Sequence, residues 1–229
     1  LEPNRELREE TLSVMFLENM KARTPWSVKI ANINLMLKYL ESDQGKGHEL
    51  HVATHLGNLI KVSEMVTVRR FAGEGLISII GKMPEEQRNE IAVELGKGLE
   101  IGDYQFTKYI PNYLGIVILH LRPQELDEMI TDLTKMLVSG NGQVAAAVLH
   151  TFGVMLEHYR MYRQHFSGEE SEEETRKRKR RLINLILRGL SHYDSVISFE
   201  ALWTMGTHIF GSSHMTLEEK QEIFSHSCK

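Results

Sequence analysis

Apolar residues recur at spacings of three and four along almost the whole chain, and alternation with a period of two is nearly absent. The pattern predicts α-helices and no sheet. Eleven helices follow from it, over residues 4–20, 25–41, 48–61, 66–81, 84–98, 105–121, 123–139, 142–163, 171–191, 195–211 and 216–227. The breaks between them carry helix-start chemistry. Thr24-Pro25 sets a capping hydroxyl before a proline in the first turn, and Pro84-Glu85-Glu86 and Pro123-Gln124-Glu125 set a proline and then carboxylates at the positive helix end. Thr216-Leu217-Glu218-Glu219 is a further start of this kind, and the turns 139–142 and 191–195 separate later helices.

Every second helix carries the same stripe. The offsets Val, Arg, then Ala at four, Leu at eight and Ile at eleven fit Val68, Arg69, Ala72, Leu76 and Ile79. They give Phe106, Thr107, Ile110, Leu114 and Val117, then Val144, Ala145, Val148, Phe152 and Met155, then Ile197, Ser198, Ala201, Met205 and His208. The first copy is Val28, Lys29, Asn32, Met36 and Tyr39, and the starts step by 40, 38, 38 and 53 residues. Offsets of four, eight and eleven trace one helical face. The long last step predicts an insertion near 162–173. Asp103, Asn141 and Asp194 each stand three residues before a copy begins, as helix N-caps would. Gly115, Gly153 and Gly206 stand nine residues after three of the starts. Glycine inside a helix costs about 1 kcal/mol against alanine, so three in register predict close approach of packed helices.

Recurrence at about 40 residues marks units that bury their apolar faces only against one another. The chain resembles the HEAT/armadillo-like helical-repeat family, best at Val68-Arg69, Ala72, Leu76 and Ile79. The resemblance implies an all-α, right-handed α-solenoid of five to six antiparallel helix pairs, one helical-repeat domain over residues 1–229. It also implies that the second helix of each pair lines a concave side. The residues six after each start would then form a ladder of Asn34, Glu74, Asn112, His150 and Trp203, with Arg70 and Lys108 one turn earlier. Tryptophan and arginine are frequent binding hot spots. A plain solvated face is the other reading of the same positions.

Composition narrows the partners. The chain of 229 residues is 41% hydrophobic and 25% charged, which suits a globular body. Its formal charge of -4 gives no general attraction for nucleic acid. No apolar run reaches the ~20 residues of a membrane span. Cys228 is the single cysteine, so neither an internal disulfide nor a thiolate zinc site is expected, and a reducing, cytoplasmic setting is the simple reading. Export without disulfides stays open. The chain opens on Leu1 rather than Met, with no signal pattern, and is expected to be part of a longer protein.

Candidate chemistry is sparse. Gly140-Asn141-Gly142 through Ala145 fits a dinucleotide fingerprint, but it follows a helix instead of a strand, and an inter-helix turn explains it. His48, His51 and His55 share one helix face at metal-ligand spacing; the alternative is a surface or interface histidine face. Residues 176–181 form a basic cluster, yet Glu172, Glu173 and Glu174 each precede a base by four residues, in the order that supports a helix. Nucleophile elbows, phosphate loops and zinc-protease motifs do not occur. No cofactor is expected. Two functions follow: a non-catalytic scaffold holding a protein partner or a neighbouring domain of its own chain, or a helical segment of a larger enzyme that assists substrate or nucleic-acid handling through Arg70, Lys108 and the basic cluster.

Overall fold

The computed structural model describes residues 9–101, 103–166, 168–192 and 194–228, and it excludes the side chains of Glu9, Glu10, Tyr104, His165 and His226. Residues 4–8 of the first expected helix, Ser167 of the expected insertion and Tyr193 of an expected turn lie outside this description. Among the described residues the chain is helical throughout, with no strand. The helices are α1 (Glu9–Met20), α2 (Trp26–Glu41), α3 (Glu49–Val62), α4 (Val66–Ile80), α5 (Glu85–Ile101), α6 (Tyr104–Thr107), α7 (Ile110–Ile118), α8 (Pro123–Ser139), α9 (Gly142–Arg163), α10 (Glu172–Leu190), α11 (Ser195–Thr204) and α12 (Leu217–Ser227). A π-helical turn, Met205–Phe210, continues α11. No described helix is long and apolar enough to cross a membrane.

The chain folds into two compact units, Leu1–Gln87 and Arg88–Lys229. In the first unit α2 and α4 pack side by side, with α3 against α4 and α1 against α2. Most of the aligned stripe lies in its core: Met36, Val68, Ala72 and Leu76 are fully buried, as is Ile33 beside it, while Val28 at the start of the first copy is exposed.

In the second unit α9 lies between α7 and α11. All three run in the same direction. Gly115 faces Thr151 and Val154, and further along both helices Leu119 accepts a hydrogen bond from Arg163 at 3.0 Å. The start of α9 meets Asp194, its middle meets Thr204, and Glu157 meets His208. Helices α8 and α10 are likewise parallel, since Asp127 pairs with Arg178 and Thr131 with Arg181.

Local chemistry explains most boundaries. Asn141 accepts from Val144 N at 2.9 Å, Ser171 from Glu174 N at 3.1 Å and Asp194 from Val196 N at 2.8 Å, each a side-chain N-cap. Thr216 and Glu219 cap each other's backbone N–H groups, the reciprocal box at the start of α12. Two expectations change. The helix expected over 105–121 is split into α6 and α7, because Pro111 cannot donate to Thr107 O and its ring crowds that carbonyl. The Thr24 hydroxyl does not cap α2; it donates to Glu18 Oε1 at 3.1 Å.

The insertion is held by a buried ion network. Glu170 accepts from Arg163 Nε at 3.1 Å and also from Arg178 and the Tyr159 hydroxyl. Arg178 reaches on to Asp127 at 2.7 Å. Burial pushes the Tyr159 phenol up to about 12, so it stays a donor.

Candidate interaction site

Helix α11 is apolar on two faces. Ile197 and Ala201 turn inward, as the repeat stripe requires. On the other side Phe199, Leu202 and Trp203 are 65%, 63% and 42% exposed, and Gly206 follows them in the π turn. Spacings of three, four and seven place these four on one face. A contiguous exposed apolar face of this kind marks an interaction surface more often than a scattered apolar residue does.

Beneath Trp203 lies a polar seam between α9 and the α11–π segment. The His150 ring meets Trp203 edge-on at 5.2 Å and His208 at 5.0 Å. His208 Nδ1 is 2.6 Å from Glu157 Oε2, and the same carboxylate oxygen is 3.7 Å from His158 Nε2. His158 in turn stands 5.1 Å from His214. At the other end His150 Nδ1 is 3.9 Å from Glu200 Oε1. Burial pushes the His150 imidazole down to about 3, with His208 adding to the effect, and lifts the Glu200 carboxyl to about 7. His158 is also lowered by burial. His150 Nε2 and His208 Nε2 are buried without hydrogen-bond partners. An imidazole aligned by a carboxylate can accept a proton. Here both nitrogens of His208 are turned into the helix interface, so the pair ties α9 to the π turn.

The residues expected to form the ladder have different fates. His150 and Trp203 come together. His150 is buried under α11 and the π turn and does not face an open groove. Asn112 and Lys108 are exposed, and the Lys108 ammonium sits 5.1 Å from the centre of the Tyr109 ring. Arg70 and Glu74 belong to the first unit, are exposed and pair with each other at 3.9 Å. Asn34 is exposed on α2.

The histidines of α3 diverge. His48 and His51 are 5.8 Å apart, but His55 turns inward, stacks on Phe16 at 4.4 Å and takes a hydrogen bond from Asn19 at 3.0 Å. Burial lowers it to about 4, which keeps it neutral. Among the described residues no three His, Cys, Asp or Glu side chains are grouped to hold a metal ion.

The basic cluster is divided between the fold and the surface: Arg176, Lys177, Arg180 and Arg181 are exposed. Arg178 is buried in the Glu170 network and does not reach Glu174, which the helical spacing would pair it with. Lys179 pairs with Glu219 at 3.1 Å and Lys177 with Glu173 at 3.5 Å. Arg176 and Arg180 line a shallow cleft with Leu156, Met215 and Glu222.

The sequence reading singled out His150 and Trp203 and passed over Phe199, Leu202, Glu157, Glu200 and His214. A signal for the first two was present: α11 is apolar on both sides of its core stripe, the mark of a helix with two covered faces. No protein-family model matches the chain, and no curated protein matches it in sequence.

Proposed function

We propose that this chain is a non-catalytic helical-repeat interaction module that holds a protein partner against the exposed face of α11. The observation that carries the reading is the uninterrupted set Phe199, Leu202 and Trp203, large apolar side chains left in solvent on a helix that is otherwise well packed. The parallel run of α7, α9 and α11, with parallel α8 and α10 on the other layer, supports a HEAT-like right-handed solenoid of antiparallel pairs. The single cysteine suits a cytoplasmic setting. Nucleic-acid handling has less support, since three of the six bases at 176–181 are ion-paired and the chain carries a formal charge of -4. The test is a photo-crosslinking residue at Leu202, compared with the same residue at exposed Lys177, in cells making the protein. Protein adducts at 202 that vanish with Phe199→Asp are expected. Equal labelling at both sites overturns the reading.

A further inference from the structure

Three helix-to-helix joints within the two units share a pattern. Counting from the start of each repeat stripe, the residue at offset nine on one helix meets the residue at offset seven on the next. Leu37 meets Gly75, where a Cβ would lie 3.2 Å from the leucine Cδ1. Gly115 meets the Thr151 carbonyl oxygen, 3.1 Å from where a Cβ would lie, and more closely the Val154 side chain at offset ten, 2.7 Å away. Gly153 meets Thr204, whose Cγ2 a Cβ would strike. Each joint sets a glycine against a larger residue, and the two helices close over it.

Two of these positions are exposed. Gly206 holds offset nine on α11, and a Cβ there would meet nothing within 4 Å. Its neighbours Phe199, Leu202 and Trp203 correspond to Ala146, Leu149 and His150 on α9, which α11 covers and which are 4%, 0% and 9% exposed. Leu35 holds offset seven on α2 and is 44% exposed, with Val28 at 40% and Ala31 exposed on the same face. The same offsets are buried or half-buried on α4, α9 and α11. One open face presents a glycine in an apolar bed, and the other presents a leucine between small apolar residues.

We infer that a second copy of this chain docks head to tail, its α2 laid along α11 of the first with Leu35 seated on Gly206. The inference rests on the proposed reading of α11 as an interaction face and names the partner. The occupant is a helix because a helix covers the equivalent face of α9. It is α2 because α2 carries the free offset-seven face, with a large residue where the glycine needs one. Such a joint is heterologous, so each copy keeps one free face of each kind, and copies add into a ring or an open chain.

Sedimentation equilibrium of the full chain, over a series reaching millimolar concentration, reads this directly. Wild-type mass is expected to climb past twice the 26.4 kDa monomer with concentration. Leu35→Asp alone and Gly206→Glu alone are expected to stay monomeric. An equimolar mixture of the two is expected to form a dimer and stop there, because one intact face remains on each. Phe199→Asp replaces Gly206→Glu in a second mixture, and circular-dichroism melts confirm that each variant is folded. A wild type that stays monomeric throughout overturns the inference. So does a Leu35→Asp variant that still dimerises, which would mean that α11 packs on its own copy. Were the wild type monomeric while Leu202 crosslinks to a different protein, the inference would fall and the interaction reading would stand. With no adduct at Leu202 as well, both would fall.

Discussion

His208 and Glu157 are 51 residues apart in sequence and 2.6 Å apart in space, and their contact fastens the π turn to α9. A carboxylate can only accept, so the imidazole carries its proton on Nδ1 and donates it. A hydrogen bond to a charged group contributes about 1.5–3 kcal/mol. Glu157→Ala should therefore lower stability by about that amount, and Glu157→Gln, which keeps an acceptor oxygen, by less. Chemical denaturation measures the difference. Amide exchange should quicken first in residues 205–210, and uniform quickening across α9 would contradict the assignment.

Glu200 gives the second unit a pH dependence of identifiable sign. Its carboxyl is raised from 4.5 to about 7 by burial. Between those values the folded chain holds a proton that the unfolded chain has released, so this group's contribution to stability falls as pH rises. His150 and His55, lowered by burial to about 3 and about 4, act in the opposite sense: each costs stability as pH drops below 6.5. A comparison with Glu200→Gln isolates the carboxyl. The variant should match the wild type near pH 4.5 and melt at higher temperature at pH 8, with the gap opening in between. A gap that is constant with pH would refute a titrating, buried carboxyl.

Gly153 and Gly206 hold the same repeat offset and should respond oppositely to alanine. At 153 a methyl group strikes Thr204 and lies 3.4 Å from His208 Cβ, both in the covering segment. Overpacking of this kind costs about 1–3 kcal/mol. At 206 the methyl meets open space, and relief of chain entropy should add about 0.4–1 kcal/mol. Thermal melts of Gly153→Ala and Gly206→Ala, taken at low concentration, should shift in opposite directions.

What could be read in advance was what neighbours along the chain decide. Helix α8 begins at Pro123, and it ends and α9 begins at the Ser139–Gly142 turn, since capping and proline act within a few residues. The buried stripe was legible for the same reason: a period is a local property. Pro111 was equally local, and its break was overlooked inside a strongly apolar run. The π turn, the inward rotation of Arg178 and the seam from Glu200 to His214 were not legible. Each depends on partners about 50 residues away, and nothing near Glu157 in sequence announces His208. His150 and Trp203 could be singled out because they share a repeat offset, but whether that offset is covered depends on what lies beyond it. On α9 it is α11; on α11 it is solvent.

Arg178 and Lys177 are adjacent on α10 and should differ sharply. Lys177 is exposed and pairs with Glu173, one turn away, across 3.5 Å. A surface pair of this kind contributes about 0–1 kcal/mol, so Lys177→Ala should be close to neutral. Arg178 sits inside, bonded to Asp127, Tyr159 and Glu170 together. Its removal leaves Glu170 buried with Arg163 as the remaining cationic partner among the described residues. Breaking a buried pair from one side costs about 3–5 kcal/mol, because the other charge stays behind without its counterpart. Arg178→Ala should fall in that range, and Arg178→Lys should recover only part of it, since one ammonium cannot span Asp127 and Glu170 as the guanidinium fork does. Replacing Arg178 and Glu170 together by Met and Leu leaves the Arg163 guanidinium buried with no carboxylate, and should be more damaging than Arg178→Ala alone. Urea melts of the single and double variants check this. A double variant more stable than Arg178→Ala would mean that the Leu119 and Leu121 carbonyls hold Arg163 well enough without its carboxylate.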